Sequence, residues 1–136
     1  MKILGIETSC DETAVTLIEA HGGFDNSFRF DILGNALMSQ ASMHAEYGGV
    51  FPNLAKREHA RNLVPLLRET LRQADMISPA ILPDSGEVFQ HELQEILSRE
   101  PELLEAGSAL VIEQGKPHID AIAGTVGPGL EPALWV

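Results

Sequence analysis

The chain has 136 residues, 44% of them hydrophobic and only 5% aromatic, enough for one globular domain with a core. Its net charge of −11 is the wrong sign for gripping nucleic acid unaided, and its single cysteine excludes a disulfide framework. No apolar run approaches the ~20 residues that span a bilayer, and nothing at the N-terminus reads as a secretory signal, so a soluble cytoplasmic protein with no membrane role is expected.

Residues 2–8 and 13–20 read as two strands joined at the polar cluster Glu7–Thr13, where three carboxylates, several hydroxyls and a thiol crowd together. A turn between buried strands usually relies on Gly, Asn or Asp for its geometry, so this tip reads as one wall of a binding site. After His21-Gly-Gly23, residues 28–39 read as a third strand, although Ile32, Leu33, Ala36 and Leu37 are too continuous for strict alternation. Three strands joined by short connections predict an antiparallel meander. Residues 40–53 read as a loop in which Gly48-Gly49 permits unusual dihedrals. Asn53 is a plausible N-cap for a helix reaching Gln73, with Pro65 predicting a kink or two abutting helices.

The stretch 75–86 reads as loop, and 87–106 as a helix that Pro101 either breaks or carries into its last turn. Between Asp75 and Gly115 nine acids face a single base, Arg99, which predicts a solvated acidic insert. Residues 119–126 read as a strand, and Gly127-Pro-Gly129 as a tight turn behind it, making a parallel crossover the expected connection. The chain stops in the apolar run Leu134-Trp-Val136, which reads as a truncation.

Asp11 and Glu12 are the candidate catalytic acids, because carboxylates at a strand–turn–strand tip can orient a ligand or act as general base. The competing reading is that Asp11 merely closes the turn through its own backbone. Glu7 reads as a paired or edge carboxylate. Ser9 offers a hydroxyl to a ligand. Cys10 has acidic neighbours instead of the bases that activate a thiol, and reads as a small buried or half-buried filler. His44 and His59 form no close metal pair and read as hydrogen-bonding residues of loop and helix; no HxxxH, HxH or CxxC occurs, so no metal site is expected in this chain. Gly127 and Gly129 allow close backbone approach to a ligand or a strand. Arg57, Arg61, Arg68 and Arg72 give the helix 53–73 a basic face, solvated or engaged with a partner.

Taken together, Ile3-Leu-Gly-Ile-Glu-Thr-Ser-Cys-Asp-Glu-Thr13, Ser39-Gln40, His44-Ala-Glu-Tyr-Gly-Gly-Val50, Pro52, Arg57-Glu-His59, Ile119-Asp-Ala-Ile-Ala123 and Thr125-Val-Gly-Pro-Gly-Leu130 resemble the N-terminal part of the TsaD family. These are tRNA threonylcarbamoyladenosine transferases, once labelled O-sialoglycoprotein endopeptidases. The resemblance covers most of 1–74 and 118–130, leaving 75–117 as an insertion. It implies an α/β chain with the actin/hexokinase/Hsp70-like (ribonuclease H-like) ATPase fold, of which residues 1–136 would be the N-terminal subdomain, with the second lobe absent. It implies transfer of the threonylcarbamoyl group from threonylcarbamoyl-adenylate to the adenosine beside the anticodon of ANN-decoding tRNAs. Asp11 would be the essential acid, with Glu12 beside it. Ser9, Cys10, His44, Gly127 and Gly129 are the candidate substrate-binding residues.

The family's iron or zinc ion is held by an H-x-E-G-H motif and a distal Asp, which would lie beyond Val136, so the chain alone is expected to be inactive. The implied partners are tRNA, a TsaE-like ATPase and a TsaB-like paralogue packed on the helix 53–73. TsaB itself begins similarly but lacks the Cys-Asp-Glu-Thr tip and the His-Ala-Glu-Tyr-Gly-Gly loop. The alternative is a non-catalytic partner-binding module of the same complex. Two departures from the family pattern are Asn53, where Glu is usual, and Glu131-Pro132, where a small apolar pair is usual.

Overall fold

The computed structural model describes residues 1–23, 25–78, 86–114 and 116–136, and for 86–89 the backbone only. Strands β1 (Lys2–Glu7) and β2 (Glu12–His21) pair antiparallel, with Leu4 opposite Leu17 and Ile6 opposite Val15. Those four side chains carry the alternation that the sequence showed. Leu4, Val15 and Leu17 are buried and Ile6 packs against them. β3 (Arg29–Ser39) continues the meander on β2. Its pairing slips between Leu17 and Ile18, so that Leu17 faces Gly34 and Ile18 faces Ile32, with Leu33 as the extra residue. A bulge of this kind moves the side-chain pattern by one position. It explains the continuous apolar run: Ile32 is exposed while Leu33 reaches the core.

A short helix, α1 (Ala41–Ala45), interrupts the predicted loop. Five residues carry too little periodicity to announce it. Gly48 and Gly49 do take positive φ, 74° and 156°. Helix α2 (Pro52–Gln73) starts two residues earlier than expected: Phe51 is its N-cap and Pro52 its first residue, where a missing N–H costs nothing. α2 runs unbroken through Pro65, so the two-helix alternative does not occur. Pro65 is exposed, which leaves the carbonyl it cannot pair on the solvent side.

α2 lies across β2 and β3. Leu66 joins Leu4, Val15, Leu17 and Ala36 in the main core, with Leu63 and Leu67 at its margin. Thr70, fully buried, donates its hydroxyl to the Val15 carbonyl at 2.9 Å.

Among the described residues, the acids of the 75–117 stretch are exposed except for the half-buried Glu100. The stretch contains two helices, α3 (Gly86–Ile96) and α4 (Pro101–Glu113), not one ending near 106. Pro101 is the first residue of α4, so it starts the second helix. Leu103, Ala106 and Leu110 recur at helical spacing and bring α4 onto Ala60 and Val64 of α2. Three ion pairs bridge the same faces: Lys56–Glu100 at 2.5 Å, Arg61–Glu102 at 3.4 Å and Arg68–Glu113 at 2.5 Å. The basic face of α2 is thus partly neutralised within the chain. Of the predicted loop, 79–85 lie outside the described residues, as do the side chains of Val88 and Phe89.

Strand β4 (Ala121–Gly124) pairs parallel to β1, with Leu4 opposite Ile122, and completes the order β3-β2-β1-β4. The crossover expected from the sequence is present. A one-turn helix, α5 (Glu131–Leu134), follows the 125–130 turn, with Pro132 in its first turn. Among the described residues, no helix is long and apolar enough to cross a membrane.

Candidate functional site

The turn between β1 and β2 is held from three directions. From inside, Glu7 caps it: the Ser9 N–H donates to Glu7 Oε1 at 2.7 Å, and the Thr125 hydroxyl donates to Glu7 Oε2. Burial pushes the Glu7 carboxyl up, but the hydrogen bonds from Ser9 and Thr125 outweigh it and hold the group below the usual glutamate range. Glu7 is therefore a paired carboxylate, as its position at the strand end suggested. The role of turn cap falls to Glu7; among the described residues no backbone N–H bonds the Asp11 carboxylate.

From the second side comes the 125–130 turn. The Thr125 N–H donates to Ile6 O at 3.2 Å and the Leu130 N–H to Ser9 O at 2.7 Å. Gly129 sits directly on Ser9, where a Cβ would stand 2.7 Å from Ser9 Cβ. Gly127 holds φ of 148°, a conformation that side chains disfavour. Sequence reading offered Gly127 and Gly129 as partners of either a ligand or a strand. The structure brings Gly129 against the tip backbone, leaves Gly127 with open space where its Cβ would be, and so makes the two loops adjoining walls.

From the third side, a buried polar chain reaches the tip. His59, fully buried on α2, bonds the Cys10 carbonyl through Nε2 at 3.1 Å. Its Nδ1 meets the Thr13 hydroxyl at 2.7 Å and Gln40 Nε2 at 3.2 Å. Gln40 Oε1 meets His44 Nε2 at 3.0 Å, and the Phe51 N–H donates to His44 Nδ1 at 3.3 Å. The Gln40 N–H also donates to Asp11 O at 2.7 Å. Burial lowers the His59 pKa; the Cys10 carbonyl and the Glu7 and Asp11 charges oppose this without reversing it. His44 thus communicates with the tip through Gln40 and His59, and its ring is buried. Gln40 entered the sequence reading only within the Ser39-Gln40 motif and Thr13 only as the end of the tip, and His59 only as a hydrogen-bonding residue. Buried polar side chains leave no trace in a hydrophobic pattern.

What the tip presents outward is Cys10 and Glu12, both exposed, and Asp11, half-buried. The expected burial of Cys10 is not observed: the turn points its side chain to solvent, and its carbonyl instead serves His59. Glu12 accepts from the Ser39 hydroxyl at 3.3 Å. Beside the tip, Gly5, Glu7, Ala14, Thr16, Ala123 and Thr125 line an open cavity of about 320 Å³. Its small residues leave room over the sheet, with the Glu7–Thr125 pair at one end. Among the described residues no three His, Cys, Asp or Glu side chains converge on a metal position. Both nitrogens of His44 and of His59 are already committed to hydrogen bonds. These residues do not fit a metal centre.

Residues 31–81 match a protein-family model described as TsaD: tRNA N6-adenosine threonylcarbamoyltransferase. Over those residues the chain is similar to the TsaD family. Two curated relatives bear the same name. The one from Persephonella marina is 47% identical over 76 residues, 56% of this chain and 20% of the relative. The one from Nitrosomonas europaea is 51% identical over 75 residues, 55% of this chain and 20% of the relative. The match thus spans about a fifth of the length of the curated relatives. The residues matched by the family model include Gln40, His44 and His59, which belong to the polar chain that supports the tip. The helices α3 and α4, from Gly86 onward, lie outside it.

Proposed function

We propose that this chain forms the N-terminal part of a tRNA-modifying transferase, which moves a threonylcarbamoyl group from its adenylate to the exocyclic amine of the adenosine beside the anticodon. The observation that carries this reading is the meeting of the Ser9–Glu12 tip and the 125–130 turn in a chain similar to the TsaD family over residues 31–81. The antiparallel meander followed by a parallel crossover supports the actin/hexokinase/Hsp70-like ATPase fold. In the transfer, a C–N bond forms to the carbamoyl carbon while the bond to the adenylate phosphate oxygen breaks. The half-buried Asp11 carboxylate orients the attacking amine and takes its proton. Ser9, Cys10, Gly127 and Gly129 line the approach, with Glu12 at its outer edge. The iron or zinc ion that the resemblance implies would be held by residues outside this chain.

A paralogous partner docking on α2 would meet the strip of Asn53, Arg57, Arg61 and Pro65, all exposed and four residues apart, with Arg61 already shared with Glu58 and with Glu102 of α4. That strip is polar and cationic, which favours an acidic partner face over an apolar one. The deciding experiment replaces Asp11 with Ala at the native locus and quantifies threonylcarbamoyl-adenosine in the tRNA by nucleoside mass spectrometry. Loss of the modified nucleoside with unchanged protein level supports the reading; full retention removes Asp11 and the tip from the chemistry.

A further inference from the structure

We infer that His59 is a positioning residue for the Cys10–Asp11 main chain, held in one tautomer by a one-way chain of hydrogen bonds that starts at the first turn of α2. The direction of the chain follows from its two backbone ends. The Phe51 N–H can only donate, so His44 Nδ1 must accept and the His44 proton sits on Nε2. That proton faces Gln40, which must therefore present Oε1 to it and its NH₂ to His59. His59 Nδ1 accepts, so its proton sits on Nε2 and points at the Cys10 carbonyl, which can only accept. Each assignment forces the next, and the far end agrees with the near one. The Thr13 hydroxyl then donates to His59 Nδ1.

Every polar atom in this chain is used, and no buried side-chain nitrogen or oxygen among the described residues lacks a partner. A fully paired buried network admits one arrangement of its members, because any flip leaves a buried donor against a donor. The tip is the element that profits. Its Cys10 carbonyl is fixed by His59, and its Asp11 carbonyl by the Gln40 N–H, so two successive peptide units are held from the same pair of residues. The Asp11 side chain leaves the backbone between those anchors. His59 touches no candidate ligand position itself; it acts through the main chain. The same arrangement couples the tip to the Gly48–Gly49 loop, since His44 and Phe51 flank that loop.

The inference rests on the tip being the site, but its test needs no activity, so it can fail independently of the transferase reading. ¹⁵N imidazole spectra of the wild-type chain at pH 7.5 report the tautomers. His44 and His59 are both expected as neutral Nε2–H rings; an Nδ1–H ring at either position overturns the chain as drawn. Amide exchange then reports the positioning. His59→Leu keeps the volume but removes all three ring hydrogen bonds, and the Gln40 N–H is expected to exchange at least ~10-fold faster while the Val15 and Leu17 amides of β2 keep their protection. His59→Gln, whose amide can again donate to the Cys10 carbonyl, is expected to recover most of that loss. Unchanged exchange at Gln40 in His59→Leu, or equal loosening in His59→Gln, overturns the positioning role. If His59→Leu does not fold, the wild-type tautomer spectrum and the comparison of His59→Gln with wild type still decide.

Discussion

Gly129 and Ser9 are in backbone contact: a Cβ on Gly129 would stand 2.7 Å from Ser9 Cβ and 2.8 Å from Ser9 O, the same oxygen that accepts the Leu130 N–H at 2.7 Å. The two walls of the site are therefore locked by the absence of a side chain. Gly129→Ala must push the turn off the tip or distort one of them. Overpacking of this kind costs about 1–3 kcal/mol. The expected outcome is lower stability in urea together with faster exchange of the Leu130 N–H. An Ala variant with wild-type stability and protection would show that the loops yield freely.

The same device seats α2 on the sheet. A Cβ on Gly34 would run into the Thr70 carbonyl and lie 3.2 Å from Thr70 Cγ2, while the Thr70 hydroxyl reaches across to Val15. The neighbour that must give is helix backbone, which cannot swing aside like a side-chain tip. Gly34→Ala is expected to lower stability by about 1–3 kcal/mol, at the upper end of that range because backbone is involved. The urea midpoint should fall with the m-value unchanged. A neutral effect would mean that α2 is not pressed against β3.

Stability should depend on pH through His59. Its folded pKa is depressed, chiefly by burial, below the ordinary value of 6.5 that the unfolded chain shows. Above 6.5 neither state binds the proton. Below it the unfolded state takes up a proton that the folded state refuses, so stability falls as pH drops from 6.5 towards the folded value and then levels off. The groups that face the ring are Glu7 from β1, Asp11 from the tip, and His44 and Gln40 from the α1 region. Glu7 has its own depressed pKa, which removes further stability only as the pH falls through the carboxylate range. Urea titrations at pH 7.5, 6.5 and 5.5 on wild type and on His59→Gln separate the two groups. The slope between 6.5 and 5.5 should be smaller in the variant; equal slopes would assign it to other groups.

Which parts of this fold were legible follows from which forces shaped them. Leu4, Val15 and Leu17 alternate because one face of the meander is buried, and that face fixed strand boundaries to within a residue or two. The bulge at Leu33 hid the same rule in β3: one added residue reads as a continuous apolar run. Phe51 replaced Asn53 as N-cap because Pro52 is already suited to a first helical residue. α4 outran its predicted end because Leu110 packs on α2, a tertiary contact that overrides Gly107. At the site, the carboxylates of the tip and the glycines of the 125–130 turn were visible as clusters. His59 was legible only as a hydrogen-bonding residue, and its partners Gln40 and Thr13 were not, since a buried polar network is specified by pairing in space and has no period along the chain.

The attachment of α4 to α2 sets apolar burial against charge. Leu103 and Leu110 are 6% and 9% exposed, whereas Glu113 and Glu102 are both more than half exposed in their pairs with Arg68 and Arg61. Truncating a buried leucine to alanine costs about 2–5 kcal/mol. Exposed ion pairs are worth at most about 1 kcal/mol and are weakened further by salt. Apolar contact should therefore hold the helix in place, with the charges choosing its orientation. Leu103→Ala is expected to raise exchange across the amides of 103–113 much more than Glu113→Gln does, with little response to 1 M salt. Equal losses in the two variants, or release of α4 by salt alone, would make the ion pairs the principal attachment and leave the basic face of α2 only loosely covered.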